Sequence, residues 1–225
     1  TWMYRSTASL FHPLQAFRPA PLAREALDEA LSGYRRPNDK VSEWLREGAL
    51  QPLRRGLYLV GAPLRTSPAC LPLLANHLYG PSYVSLDFAL AWHGLIPEGV
   101  AEVTSVTPRP GHLHSNALGR FSYHHLPLRY YAVGQELGQS ADGLSFLMAS
   151  PAKALADRLV LSRSLPALSR RAMQQWLMED LRLDSEQLGE LNLSELRACL
   201  ATGYKQRQLG TLLSVVETLQ QELAS

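Results

Sequence analysis

The stretch PNDKVSEWLREGALQPLRRGLYLVG, residues 37–61, decides how the amino-terminal part of this chain is read. Pro37 suits the first turn of a helix, where its missing N–H is not needed. Val41, Trp44 and Leu45 follow as an i, i+3, i+4 apolar stripe, and Gly48 closes the helix. Leu50 to Leu53 and Leu57 to Val60 read as two short strands around Arg54-Arg55-Gly56, and Gly61 and Pro63 end the unit. Upstream, LAREALDEALS (22–32) places Leu22, Ala26, Leu27, Ala30 and Leu31 on one helical face, with Gly33 as its stop. Further upstream, TASLFHPLQA (7–16) carries Leu10, Phe11 and Leu14 at helical spacing, with Pro13 in its middle, and predicts a short or broken helix. Helix, helix, helix and two-stranded hairpin, in that order, is the plan of a winged helix-turn-helix.

The whole chain has 225 residues, 25.0 kDa, and is 46% hydrophobic, enough for a sizeable core and against wholesale disorder. No apolar run approaches about 18 residues, so no transmembrane helix is expected. No long apolar stretch with a small-residue cleavage site opens the chain, so no signal peptide is expected either. Cys70 and Cys199 lie far apart and match no metal spacing, which fits a reducing cytoplasm. The net charge of +2 is uneven. Residues 1–66 hold ten Lys/Arg against six Asp/Glu, 67–163 hold six of each, and 164–225 hold six against eight. The basic surplus therefore sits with the winged-helix pattern, and its two readings are a polyanion contact and ordinary surface variation.

Beyond Pro63 the periodicity predicts helices over 68–79, 86–95 and 143–161, and strands over 82–84, 100–107, 119–126 and 129–134. After Pro166, leucines at helical spacing predict four helices, at 167–181, 184–190, 193–202 and 205–223. The expected class is α+β: a winged helix over 1–63, a mixed α/β domain with a small sheet over 64–163, and a helical region over 164–225.

Chemistry-bearing residues concentrate at the hairpin and the helix before it. Arg35, Arg36, Lys40 and Arg46 are expected at or near the face opposite Val41, Trp44 and Leu45, with Arg54 and Arg55 near the wing tip. Such a set can straddle a DNA backbone, helix in the major groove and wing across phosphate or minor groove. Asn38 and Ser42, short and polar at the start of the helix, are positioned to reach base edges. Asp39, Glu43 and Glu47 favour the other reading, a solvated helix of mixed charge. Gly56 is expected to supply a positive φ in the wing turn, and Tyr58 and Leu57 to alternate across the second wing strand.

His112, His114, His124 and His125 lie close in sequence, but no HExxH and no cysteine partner accompanies them, and structural histidines are the simpler reading. No GxSxG elbow, phosphate loop or GxGxxG is present. Asp157 is expected to pair with Lys153 or Arg158 on its own helix. No motif supports an enzyme, a cofactor or a catalytic metal; a metal-dependent nuclease built on the histidines is the third reading after DNA binding and protein binding.

Three segments carry a family resemblance. LREGALQPLRRGLYLVG (45–61), with Leu45, Gly48, Leu50, Leu53, Arg55, Gly56 and Tyr58, resembles the wing of AbiEi-type antitoxins of bacterial type IV toxin–antitoxin systems. YVSLDFALAWHGLIPE (83–98) and ASPAKALADRLVL (149–161) resemble two helices of the same family, in the same order. The resemblance implies a cytoplasmic, two-domain DNA-binding repressor rather than an enzyme. It implies binding to inverted repeats of double-stranded operator DNA, by a homodimer or by cooperative monomers, and action against a toxin of nucleotidyltransferase type. Stand-alone relatives without a toxin gene make repressor the more general expectation.

Overall fold

The computed structural model describes residues 13–17, 20–162 and 169–223. The expected Leu10 and Phe11 contacts, the start of the 7–16 helix and the break at Pro166 lie outside the described residues. The chain divides into two compact units, Thr1–Cys70 and Leu71–Ser225.

In the first unit a 3-10 turn, Pro13–Ala16, is followed by strand β1 (Leu22–Ala23), helix α1 (Arg24–Ala30), helix α2 (Pro37–Arg46) and strands β2 (Leu50–Arg54) and β3 (Leu57–Val60). The helix expected from Leu22 begins two residues later, because Leu22 and Ala23 pair in antiparallel fashion with Tyr58 and Leu57. The sheet runs β1-β3-β2. Its core joins Leu14, Leu22, Leu27, Leu31, Val41, Trp44, Ala49, Leu50 and Val60. Ala30, expected on the apolar face of α1, is exposed. Gly61 closes the unit against Gly48, where a Cβ on Gly61 would fall 1.7 Å from the Gly48 carbonyl oxygen. Only a residue without a side chain allows that approach.

The second unit is built on a mixed six-stranded sheet. Its elements are α3 (Leu71–Leu78), β4 (Tyr83–Val84), α4 (Leu86–Trp92), β5 (Val103–Thr107), β6 (His112–Asn116), β7 (Gly119–His125), α5 (Leu128–Tyr131), β8 (Gln135–Gln139), β9 (Ser145–Ala149) and α6 (Pro151–Leu161). The strand order is β6-β7-β5-β4-β9-β8, with β5–β7 and β4–β9 parallel and the other neighbours antiparallel.

Two expectations are overturned here. Residues 143–161 are not one helix: Ser145–Ala149 form β9, and α6 starts at Pro151. Proline pushes the residues before it towards extended geometry, and Ser150 caps the helix by accepting from the Lys153 N–H. Residues 129–134 are not a strand: Leu128–Tyr131 make a helical turn whose Tyr131 N–H donates to the Pro127 carbonyl at 2.8 Å. Strands β6 and β8, both sheet edges, are not among the expected strands, although His112 and His114 alternate along β6 as strand parity requires.

From residue 169 onward come α7 (Arg170–Gln175), a π-helical turn (Trp176–Asp180), α8 (Ser185–Gly189), α9 (Leu193–Ala201) and α10 (Gln206–Leu223). Asp184 and Gln187 form a reciprocal capping box at the start of α8. Helix α10 packs on α6, α7, α8 and α9, so the leucine stripe Leu209, Leu212, Leu213, Val216 and Leu219 is covered within this unit. Among the described residues, no helix is long and apolar enough to cross a membrane.

Candidate nucleic-acid interface

Helix α2 buries Val41 and Trp44 and turns its polar residues outward. Its charges largely answer one another. Arg36 lies 3.7 Å from Asp39, and Lys40 Nζ lies 2.9 Å from Glu43. Lys40 is also not opposite the apolar stripe as expected. Its ammonium sits 5.7 Å from the Trp44 ring centroid, because residues four apart share a helix flank. Ser42 donates to the carbonyl of Asn38 at 2.9 Å, so its hydroxyl is engaged within the helix.

Arg35 and Arg46 are exposed and make no ion pair among the described residues. The hairpin adds a second cationic point. Arg54 ends β2 opposite Leu57, leaving Arg55 and Gly56 as a two-residue turn. Gly56 has φ +75°, the left-handed geometry that such tight turns require and that glycine adopts without strain. The strand is irregular between Pro52 and Arg54, and Arg54 Nη1 lies 3.5 Å from the Arg55 carbonyl. Arg55 is exposed at the tip. Tyr58 pairs with Leu22 and Pro52 and is half-buried against the core, beside the fully packed Leu57 and Leu59.

Arg24 is not among the residues expected at the interface. Its guanidinium is held by Asp28 at 2.8 Å and donates to Asn38 Oδ1, which joins the first turn of α1 to the first turn of α2. The Asp28 hydrogen bond holds the arginine above its ordinary range, partly offset by burial, with Tyr58 on β3 adding a smaller contribution. The Arg24–Asp28 spacing is visible in the chain; the approach of Asn38 is a product of packing.

The histidines resolve separately. His112 stacks on Tyr79 at 4.8 Å between ring centroids, His114 lies 6.4 Å from the Phe121 ring, and His125 Nδ1–H donates to the Arg109 carbonyl at 3.0 Å. Among the described residues, no group of three or more His, Cys, Asp or Glu is placed to hold a metal ion.

A polar knot lies inside the second unit. Lys153 Nζ meets Asp157 Oδ1 at 2.9 Å and donates to the Tyr130 carbonyl at 2.9 Å. Asp157 Oδ2 accepts from Ser85 at 2.6 Å and from Tyr83 at 3.1 Å. Burial, reinforced by the Asp157 charge, holds the Tyr83 and Tyr130 hydroxyls well above the usual tyrosine range. Nearby, burial pushes the Cys199 thiol up to about 11. The Lys153–Asp157 pair was legible as i, i+4 spacing, but nothing in that spacing announced its complete burial.

Comparison with protein-family models and with curated proteins finds no match for this chain.

Proposed function

We propose that this chain is a DNA-binding transcriptional repressor whose first unit is a winged helix. The observation that carries the reading is the hairpin β2–β3, with exposed Arg55 at a glycine-built tip, set in a three-stranded sheet on the two-helix core of α1 and α2. In this reading the N-terminal part of α2 enters the major groove with Asn38 and Ser42. Arg35, Arg36, Lys40 and Arg46 flank the phosphates, and Arg54 and Arg55 follow the backbone or minor groove. Gly56 and Tyr58 keep the wing in place. The operator is an inverted repeat of double-stranded DNA, read by a homodimer or by cooperative monomers in the cytoplasm. The likeness of residues 45–61, 83–98 and 149–161 to AbiEi-type antitoxins supports autoregulation and action against a nucleotidyltransferase-type toxin. No catalytic step and no cofactor are assigned.

One observation favours a second reading, a module that binds a toxin or another protein without specific DNA binding. The Arg36–Asp39 and Lys40–Glu43 pairs leave the outer face of α2 nearly neutral.

Fluorescence anisotropy on the chain's own upstream region, against scrambled DNA at two salt concentrations, separates the two. Repressor function requires binding at least about a hundredfold tighter to the upstream region and weakening steeply with salt. Equal, weak binding to both duplexes excludes it and leaves the protein-binding reading.

A further inference from the structure

We propose that Arg24 and Asn38 form a donor-only pair that reads guanine in the major groove; this rests on the DNA-binding reading above. A guanidinium carries only donors, so the Asn38 atom facing Arg24 is its carbonyl oxygen. Asp28 fixes the guanidinium from the same helix, and Tyr58 supports it from β3. The arginine side chain is 31% exposed, and Asn38 is exposed at the start of α2, so both can meet a ligand.

The consequence is chemical. A lone asparagine favours adenine, accepting from N6 with its carbonyl while its amide donates to N7. Here that carbonyl is already engaged, and an adenine amino group would face the Arg24 cation, donor against donor. Guanine offers acceptors at both N7 and O6, which suit the Asn38 amide N–H groups and the remaining Arg24 N–H groups. Arg24 thereby inverts the preference that Asn38 would have alone, and it lies on α1 rather than on the helix that enters the groove.

The test is selection of bound sequences from a random duplex library with the full chain and three variants, Asn38→Ala, Arg24→Ala and Arg24→Gln. Thermal unfolding of each variant checks that it is folded. The wild-type chain should enrich guanine at one half-site position, roughly tenfold over adenine. Asn38→Ala should erase the preference at that position, and both Arg24 variants should turn it towards adenine. Adenine at the Asn38-dependent position in the wild type, or Arg24 variants that leave the position unchanged, overturns the proposal while the repressor reading stands. A wild-type chain that enriches no sequence at all fails the repressor reading itself, and the guanine assignment falls with it.

Discussion

The Lys153 ammonium lies 2.9 Å from Asp157 Oδ1, one turn along α6, and neither side chain has any exposed surface. The pair takes further partners from outside its helix. Lys153 reaches back to the Tyr130 carbonyl, and Asp157 takes hydrogen bonds from Tyr83 in β4 and from Ser85 just before α4. Three segments distant in sequence are thus tied at one point, with α6 at its centre.

Breaking that pair should be costly. Asp157→Asn or Lys153→Met leaves one buried partner uncompensated, and each should lower stability by about 3–5 kcal/mol. The double variant Lys153→Met/Asp157→Leu, which removes both charges, should recover much of that loss. Urea unfolding measures all three; single variants within about 1 kcal/mol of wild type would show that the pair is not desolvated as described.

Alkaline pH should destabilise the fold. The Cys199 thiol is held up at about 11 against an ordinary value of 9.0, so the unfolded chain gives up this proton first. The stability is intact below pH 9 and declines between roughly pH 9 and 11, by on the order of 2 kcal/mol from this group alone. Tyr83 and Tyr130, also raised, act in the same direction at higher pH. Unfolding midpoints measured from pH 7 to 11 should fall over that window in wild type and fall less in Cys199→Ala, compared with each variant's own value at pH 7.

Gly61→Ala should destabilise the first unit, because the new methyl meets backbone, which cannot swing aside as a side chain can. A loss of about 1–3 kcal/mol is expected from such overpacking. Gly33→Ala is the matched control, since nothing lies within 4 Å of a Cβ there and its φ is ordinary. Equal midpoints for the two variants would contradict the Gly48–Gly61 approach.

Arg55→Ala tests the hairpin tip. On the proposed DNA-binding reading it removes one phosphate contact, which should weaken binding to every duplex sequence alike and reduce the slope of log affinity against log salt by about 1. Anisotropy titrations at several salt concentrations read both quantities. An unchanged slope would remove Arg55 from the phosphate contacts.

Much of the secondary structure was legible because it follows from local rules. Pro37 and Gly48 bracket α2, Gly56 punctuates the hairpin, and the leucine stripe of α10 repeats at helical spacing over its full length. The misread segments are those where pairing outweighs local preference. SFLMA reads as the front of a helix, yet β8 on one side and β4 on the other, with Asn76 bonding both the N–H and the carbonyl of Leu147, hold it as a strand. HLHSN and QELGQ have little apolar patterning because each is a sheet edge with one paired side.

The candidate interface divides along the same line. Which residues are cationic, where the turn falls, and which helix precedes it were determined by the sequence, since charge and turn chemistry belong to single residues and short spacings. Which of those cations remain unpaired, how the Asn38 carbonyl is engaged, and how deeply Lys153 and Asp157 are buried were decided only by tertiary structure. Those properties depend on groups such as Arg24 and Asn38, or Tyr83 and Asp157, that are remote along the chain and become neighbours when the apolar faces are withdrawn from water.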